Sequence, residues 1–504
     1  MRAAVVASAL LLSVGCYDPA PPSGGYRCSA DTFCPKGLTC ECGLCVKSKS
    51  DAACSFVIDA KQGGENPTVR EHQSFPVTIS ARAQDGSPAT GYNGVVELSF
   101  TLPDGQRWCD VEPRTAEVKG GTATVMVSLN RETVPPQSPR LRARAGSAEG
   151  SSGPITVRVG PFTRDPTPVV APLDAAGSFG WARLAVALPS ILPGPSGYTM
   201  YFSGVEKSGP LDAPRFSIGV ATSPDGKTFT PTSAPVIPGS ANAILFAPAA
   251  YKNVTTGQTI VAFGLSASAD ILGGASDITL AVSPDGMTNF LPKMPPVLDN
   301  ERCPDYCRQR LDFPTVVTQR DPDAAPDAGD ALTSYLLFFS GQEPRRNTLG
   351  LNIPAIGLAT STDGVTFVPE PSPVLNGDIG GEQYLTSPSV YLDGSVLKMY
   401  YSFTRPADTV AGMTCDTKIS IGYATSTDGR YWIRSPSNST APIAQAAGGW
   451  DAGIYGFLAG AVVPDPTQPN GGIVLYYSTM REVDLGGLNG KKCLPNGIGR
   501  ATRM

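Results

Sequence analysis

Ile218-Gly219-Val220-Ala221-Thr222-Ser223-Pro224-Asp225-Gly226, followed by Phe229 and Pro235-Val236-Ile237, is a phrase that this chain writes four times and begins a fifth. The second copy has Ser283-Pro284-Asp285-Gly286, Phe290 and Pro296-Val297-Leu298; the third has Ser361-Thr362-Asp363-Gly364, Phe367 and Pro373-Val374-Leu375. The fourth has Ser426-Thr427-Asp428-Gly429 and Trp432, and a fifth begins at Ile498-Gly499-Arg500-Ala501-Thr502. A unit of strand formers that recurs roughly every 60 to 80 residues, without helical periodicity, is the signature of propeller blades.

Each copy lays out as four strands. A first apolar strand holds Pro189-Ser190-Ile191, Pro248-Ala249-Ala250, Pro314-Thr315-Val316, Pro388-Ser389-Val390 or Ala461-Val462-Val463. A second is aromatic, as in Tyr198 to Phe202 or Leu397 to Tyr401. The third and fourth flank the Asp-Gly pair, which predicts a type I′ hairpin with positive φ at both central residues. Five first strands imply five blades, and the fifth lacks an outermost strand. Phe162 followed by Pro168-Val169-Val170 repeats the spacing of Phe229 to Pro235, so residues 161–171 are expected to close blade five.

The sequence Ile-Gly-Tyr-Ala-Thr-Ser-x-Asp-Gly-x-x-Trp at 421–432, with Pro-Ser-Val and Tyr-Tyr-Ser ahead of it, resembles the five-bladed propellers of family 43 glycoside hydrolases and their relatives in families 32, 62, 68 and 130. The resemblance covers roughly residues 161–504 and identifies a fold better than an activity. The turn is also similar to the Asp-box of sialidases, but it is one residue shorter and sialidases have six blades.

At 504 residues the chain exceeds one domain, and 55 Gly, 48 Pro and 16% charged residues fit an all-β, turn-rich protein. A net charge of -5 without a basic stripe argues against nucleic acid as a partner. Residues 1–15 read as an export signal, too short to span a membrane. Cys16 follows as a lipobox-like lipidation site, with Leu12 one place further upstream than usual. The alternative is plain secretion with Cys16 inside the mature chain. Cys28, Cys34, Cys40, Cys42, Cys45 and Cys54 read as a disulfide-stapled neck over 16–54, the competing reading being a zinc site at Cys42 and Cys45. Cys303 and Cys307 are spaced to bridge each other, Cys415 and Cys493 are the best long-range pair, and Cys54 with Cys109 is a further alternative. Residues 55–160 alternate like an immunoglobulin-like sandwich and are expected to act as a spacer.

His72 is the single histidine and lies outside the propeller, which excludes a Ser-His-Asp triad and a multi-histidine metal site there. Carboxylates remain as acid and base. Strand order puts the four-to-one and two-to-three connections on one face, the upper one, and the Asp-Gly turns on the other. Asp225, Asp285, Asp363 and Asp428 are therefore structural turn residues. The upper face collects Asp174, Trp181, Arg183, Glu206, Asp312, Glu343, Arg345, Arg346, Glu382, Tyr384, Arg405, Trp450, Asp451, Tyr455, Arg481 and Glu482, a set that suits a sugar ring.

The resemblance implies a base, a modulator and an acid at the starts of innermost strands, and the match is partial. Asp312 sits one residue ahead of the modulator position, Glu382 several residues ahead of the acid, and Ala187-Leu188-Pro189 stands where the base belongs. The catalytic candidates are thus Asp312 and Glu382, with Asp451 or Asp174 as substitutes; the other rim residues are candidates for binding substrate. The acidic stretch from Asp321 to Asp330 reads as a solvated insertion rather than a calcium site, and no cofactor is implied. The expected protein is all-β: a lipid-anchored cell-envelope lipoprotein, at the outer membrane facing the periplasm or the exterior. Its neck and sandwich precede a propeller over 161–504 that recognises, and with a complete carboxylate set hydrolyses, an extracellular polysaccharide. The alternative is a non-catalytic module that binds glycan or protein.

Overall fold

The computed structural model of the protein describes residues 27–29, 34–171, 180–206, 215–240, 243–266, 275–320, 332–346, 352–377, 381–405, 419–436, 456–465, 472–484 and 491–503. Five four-stranded antiparallel sheets form the propeller. Blade one is Ala185–Gly194, Gly197–Glu206, Arg215–Ser223 and Thr230–Pro231; blade two is Ile244–Lys252, Thr259–Ser266, Asp277–Ser283 and Leu291–Pro292. Blade three is Arg310–Arg320, Leu332–Arg346, Asn352–Ser361 and Val368–Pro369; blade four is Gln383–Asp393, Val396–Thr404, Ser420–Ser426 and Ile433–Arg434. Blade five takes Gly456–Pro464, Ile473–Asp484 and Lys491–Arg503, and its fourth strand comes from upstream: Thr163 pairs with Thr502 and Arg164 with Ala501. Val170 adds a bridge to Ile498, matching Ile237 to Ile218, Leu298 to Ile278 and Leu375 to Ile356 in blades one, two and three.

The repeated phrase makes one set of contacts in blade after blade. At each turn a serine hydroxyl accepts the glycine N–H, as Ser223, Ser283, Ser361 and Ser426 do for Gly226, Gly286, Gly364 and Gly429, each at 2.9 Å. The aspartate Oδ1 accepts the next two amides, for example Met287 and Thr288 on Asp285, both at 2.8 Å. Only the glycines have positive φ, so the turn is not type I′; side-chain oxygens replace the second left-handed residue. Tyr476, Tyr201 and Tyr251 then donate across the blade boundary to the carbonyls of Gly226, Gly286 and Gly364 at 2.7, 2.5 and 2.6 Å.

In blades one, two and four the aromatic after the turn packs on the second strand of the preceding blade, and Phe162 does the same for blade five. Phe229 meets Tyr476, Phe290 meets Tyr201, Trp432 meets Phe338 and Phe162 meets Tyr400, all edge-on with centroids 5.6–6.0 Å apart. Such pairs contribute about 0.5–1.5 kcal/mol beyond the area they bury. Near the other end of the second strand Ser203, Ser340, Ser402 and Ser478 accept the amides of Ala247, Ser387, Ala459 and Leu188 in the following blade, at 2.7–3.0 Å. Blade two carries Gly264 at this place, with the Phe246 ring against it.

The segment over 55–160 is a β-domain in which most strands follow one hydrogen-bonded path, while Thr68–Arg70 and Thr156–Arg158 pair in parallel as a separate two-stranded sheet. Glu149 and Ser55 provide a single parallel pair joining its two halves. Phe75, Val77 and Ile79 of one half share a core with Val96, Leu98, Phe100 and Leu141 of the other. The neck is stapled internally by its disulfides Cys28–Cys40, Cys34–Cys45 and Cys42–Cys54, and it meets this domain through Gln84 N–H donating to Glu41 Oε1 at 3.0 Å. Cys303–Cys307 is a further disulfide, and Cys109 is a buried free thiol whose pKa burial pushes up to about 12. The pair Cys415 and Cys493 and the acidic stretch 321–330 lie outside the described residues and side chains, as do the export signal and Cys16. No helix among the described residues is long and apolar enough to cross a membrane.

The β-domain is not a detached spacer. It docks against blade four at the turn end of the propeller, where Val396 enters its core. Glu71, fully buried, meets Lys398 Nζ at 3.1 Å, Arg503 Nη2 at 2.8 Å and the Tyr423 hydroxyl at 2.9 Å. Lys398 also meets Asp393 at 2.7 Å, and His72 Nε2 stands 2.8 Å from the same carboxylate. Burial alone would raise the Glu71 pKa, but Lys398, Arg503 and His72 outweigh it and hold it below 4.5. Asp393 is likewise held well below its ordinary value against its own burial, chiefly by Lys398 and His72.

Candidate functional site

Four inner strands share a backbone feature that sets the geometry of the funnel. Leu188, Ala247, Phe313 and Ser387, each just before a proline, have φ of 57°, 52°, 48° and 49°. A register shift in the pairing with the second strand accompanies each one. Left-handed non-glycine residues carry strain, and the pre-proline position adds to it. The bulge re-aims the residue ahead of it. Ala187, Phe246, Asp312 and Thr386 consequently occupy equivalent places and all line one cavity of about 100 Å³ at the funnel base. This ring of positions holds alanine, phenylalanine, aspartate and threonine.

The cavity lies where first and third strands begin, opposite the Asp-Gly turns. Asp312 is ion-paired with Arg310 Nε, both side chains being buried, and accepts from Ser276 Oγ at 2.6 Å. Burial raises the Asp312 pKa, and Arg310 and Ser276 partly oppose the shift. Arg310 also lies over the Phe246 ring, 5.9 Å from its centroid. Beside this pair stand Ser340, Gln342, Tyr384, Thr386 and Thr404. Gln342 Nε2 donates to the Tyr384 hydroxyl at 3.4 Å.

The remaining candidates are placed as follows. Glu382 is buried and does not line the cavity; its Oε2 accepts from Tyr401 at 2.6 Å and Arg434 Nε at 2.8 Å, tying blade four's second and fourth strands. Trp181 is core: it stacks on Phe202, and any side chain at Gly204 or Gly219 would collide with its ring. Tyr306 fills the corresponding slot on blade three over Gly341 and Gly357. Arg183 is exposed, Glu206 and Glu343 are half-buried at the ends of second strands, and Arg481 is half-buried on blade five. Glu206 lies opposite Arg215 in the blade-one pairing. Arg405 stands over the Phe403 ring at 5.7 Å. Asp174, Trp450, Asp451 and Tyr455 lie outside the described residues, and so do the side chains of Arg345, Arg346 and Glu482. Of the candidates, the structure brings Asp312 and Tyr384 together in the cavity.

Arg310, Gln342, Phe246 and Thr386 are cavity residues that sequence reasoning passes over. Arg310 carried a signal, because residues two apart on a strand share a face and Arg310-x-Asp312 places opposite charges side by side.

No protein-family model matches the chain, and no curated protein is similar to it. Similar solved structures include an assigned glycoside hydrolase from Parabacteroides distasonis, 14% identical with a TM-score of 0.48, covering 68% of this chain and 97% of that one. A structure from work on mannoside phosphorylases and hydrolases of family 130 is 14% identical with a TM-score of 0.47, covering 68% and 93%. A thermostable family-43 glycoside hydrolase is 16% identical with a TM-score of 0.42, covering 63% and 88%. At such identities the likeness is one of fold.

Proposed function

We propose that the propeller binds a carbohydrate chain at its funnel without hydrolysing it. The carboxylate inventory of the cavity carries this reading. Asp312 is the single carboxylate among the described lining residues, and Arg310 and Ser276 already hold it. Hydrolysis by paired carboxyls needs two of them about 5 to 9.5 Å apart across the bond, and Glu382 is committed to Tyr401 and Arg434. A fixed ion pair is instead suited to charge-assisted hydrogen bonds with hydroxyls. The resemblance of the repeated phrase to family 43 hydrolases supports a sugar as the ligand. The signal-like residues 1–15, Cys16 and the three neck disulfides support export to an oxidising compartment and anchoring at the cell envelope. With the β-domain at the turn end, such an anchor would leave the funnel facing outward.

Hydrolysis is the second reading, favoured by the raised pKa of Asp312, which is the direction a general acid needs; its partner would be Asp174 or Asp451. The test is to incubate the full chain with a panel of insoluble plant, algal and microbial polysaccharides, measuring retention and release of reducing sugar. Retention without release, lost in Arg310→Leu/Asp312→Leu, is the expected result. Release abolished by Asp312→Asn would overturn it in favour of a hydrolase. Neither retention nor release would overturn the carbohydrate reading and leave a protein ligand.

A further inference from the structure

The cavity has two unlike halves. Toward blades three and four its wall carries the Arg310–Asp312 pair, Gln342, Thr386 and Thr404 set among the apolar Phe313, Pro354 and Ile419; toward blades one, two and five it is hydrocarbon except for Ser203, formed by Leu188, Val205, Phe216, Phe246, Leu458 and Met480. Gln342 is 7% exposed, and its Oε1 accepts no hydrogen bond from the described residues. A buried acceptor without a donor destabilises the empty protein until a donor reaches it. The hydrocarbon half poses the opposite demand. A cavity of roughly 150 Å³ lined by leucine, isoleucine and phenylalanine stays dry and admits apolar guests. A pyranose with hydroxyls on every edge would press some of them against Leu188, Phe246 and Met480, with no partner to replace the water they lose.

We infer that the sugar residue seated in this cavity carries a methyl group, as a 6-deoxy, O-methyl or O-acetyl sugar does. The alkyl group enters the hydrocarbon half, a ring hydroxyl donates to Gln342 Oε1, and other hydroxyls face Arg310 and Asp312. This rests on the reading that the funnel receives a glycan and narrows it to a class.

Titration calorimetry of the full chain with matched ligand pairs tests the inference. L-Rhamnosides against L-mannosides and L-fucosides against L-galactosides form the deoxy arm. Methyl-ether glucosides against plain glucosides form the ether arm, and acetylated xylo-oligosaccharides before and after alkaline de-esterification form the ester arm. The alkyl-bearing member of at least one pair should bind about 10-fold tighter or more, the discrimination one buried methyl group supplies. Leu458→Asn should erase that preference. Gln342→Leu, which leaves the hydrocarbon half intact, should weaken both members of the pair together. Equal affinity within every pair would overturn the inference while leaving glycan binding in place. A preference that survives Leu458→Asn in a folded variant would also overturn it, and binding to no member would overturn both readings.

Discussion

The two ends of the propeller are built on opposite principles. At the turn end four blades repeat one chemistry: the serine-to-glycine bond, the aspartate collecting two amides, and in three of them a tyrosine from the neighbouring blade closing on the glycine carbonyl. At the funnel end the equivalent residues Ala187, Phe246, Asp312 and Thr386 share a bulged backbone and nothing else. Repetition therefore carries the stability, and divergence on an identical backbone carries the site. Among the described residues the β-domain joins the first end only, through Glu71 and Lys398, so the docking interface and the funnel are separate there. Substitutions at the two ends should add independently.

The largest effect that would break this contrast lies in the docking cluster. Lys398→Ala removes the buried ammonium shared by Glu71 and the half-buried Asp393, and urea unfolding of the full chain should show a loss of about 3–5 kcal/mol; a loss below about 1 kcal/mol would mean the cluster does not couple the domains. Acid is the milder form of the same test. Both carboxyls have folded pKa values below their ordinary values of 4.5 and 3.8, so their stabilisation is present above those values and is lost as pH falls beneath them. A melting temperature that stays flat from pH 5 to about pH 3 would contradict this. Tyr201→Phe removes one tyrosine-to-turn bond and should cost about 1 kcal/mol by the same unfolding measurement. The smallest change is expected at the funnel: Gln342→Leu should leave stability within about 0.5 kcal/mol or raise it slightly, since it deletes an unpartnered buried acceptor. A large loss of stability there would erase the distinction between the two ends.

Blade number, strand order and the upstream source of the last strand are legible in the sequence, because the Phe162 to Pro168 interval copies the interval from Phe229 to Pro235. The turn residues are legible as structural for the same reason. Trp181 is misleading: ahead of an inner strand it resembles a rim residue, and the sign of its burial is a pair of glycines, Gly204 and Gly219, on adjacent strands that together open a flat slot. Glu382 misleads in a related way, since its partner Arg434 lies 52 residues downstream and only the fold brings them together. The bulge obscures the cavity ring, because a one-residue insertion shifts which side chains face inward and no alternation rule anticipates it. The docking of the β-domain leaves no local signature: Glu71, Lys398 and Arg503 are ordinary surface residue types until three distant segments meet.

Arg503 belongs to the strand that Thr163–Arg164 closes, and Glu71 grips that same strand from the β-domain. Tension applied to the neck is therefore shared between two routes into the ring. One is the short closing segment, paired at Thr163–Arg164 and bridged at Val170, which alone would peel open bond by bond; the other is the buried charged cluster, which must yield as a block. A protein tethered at its neck and pulled by a ligand in its funnel would have its weakest seam relieved of part of the load.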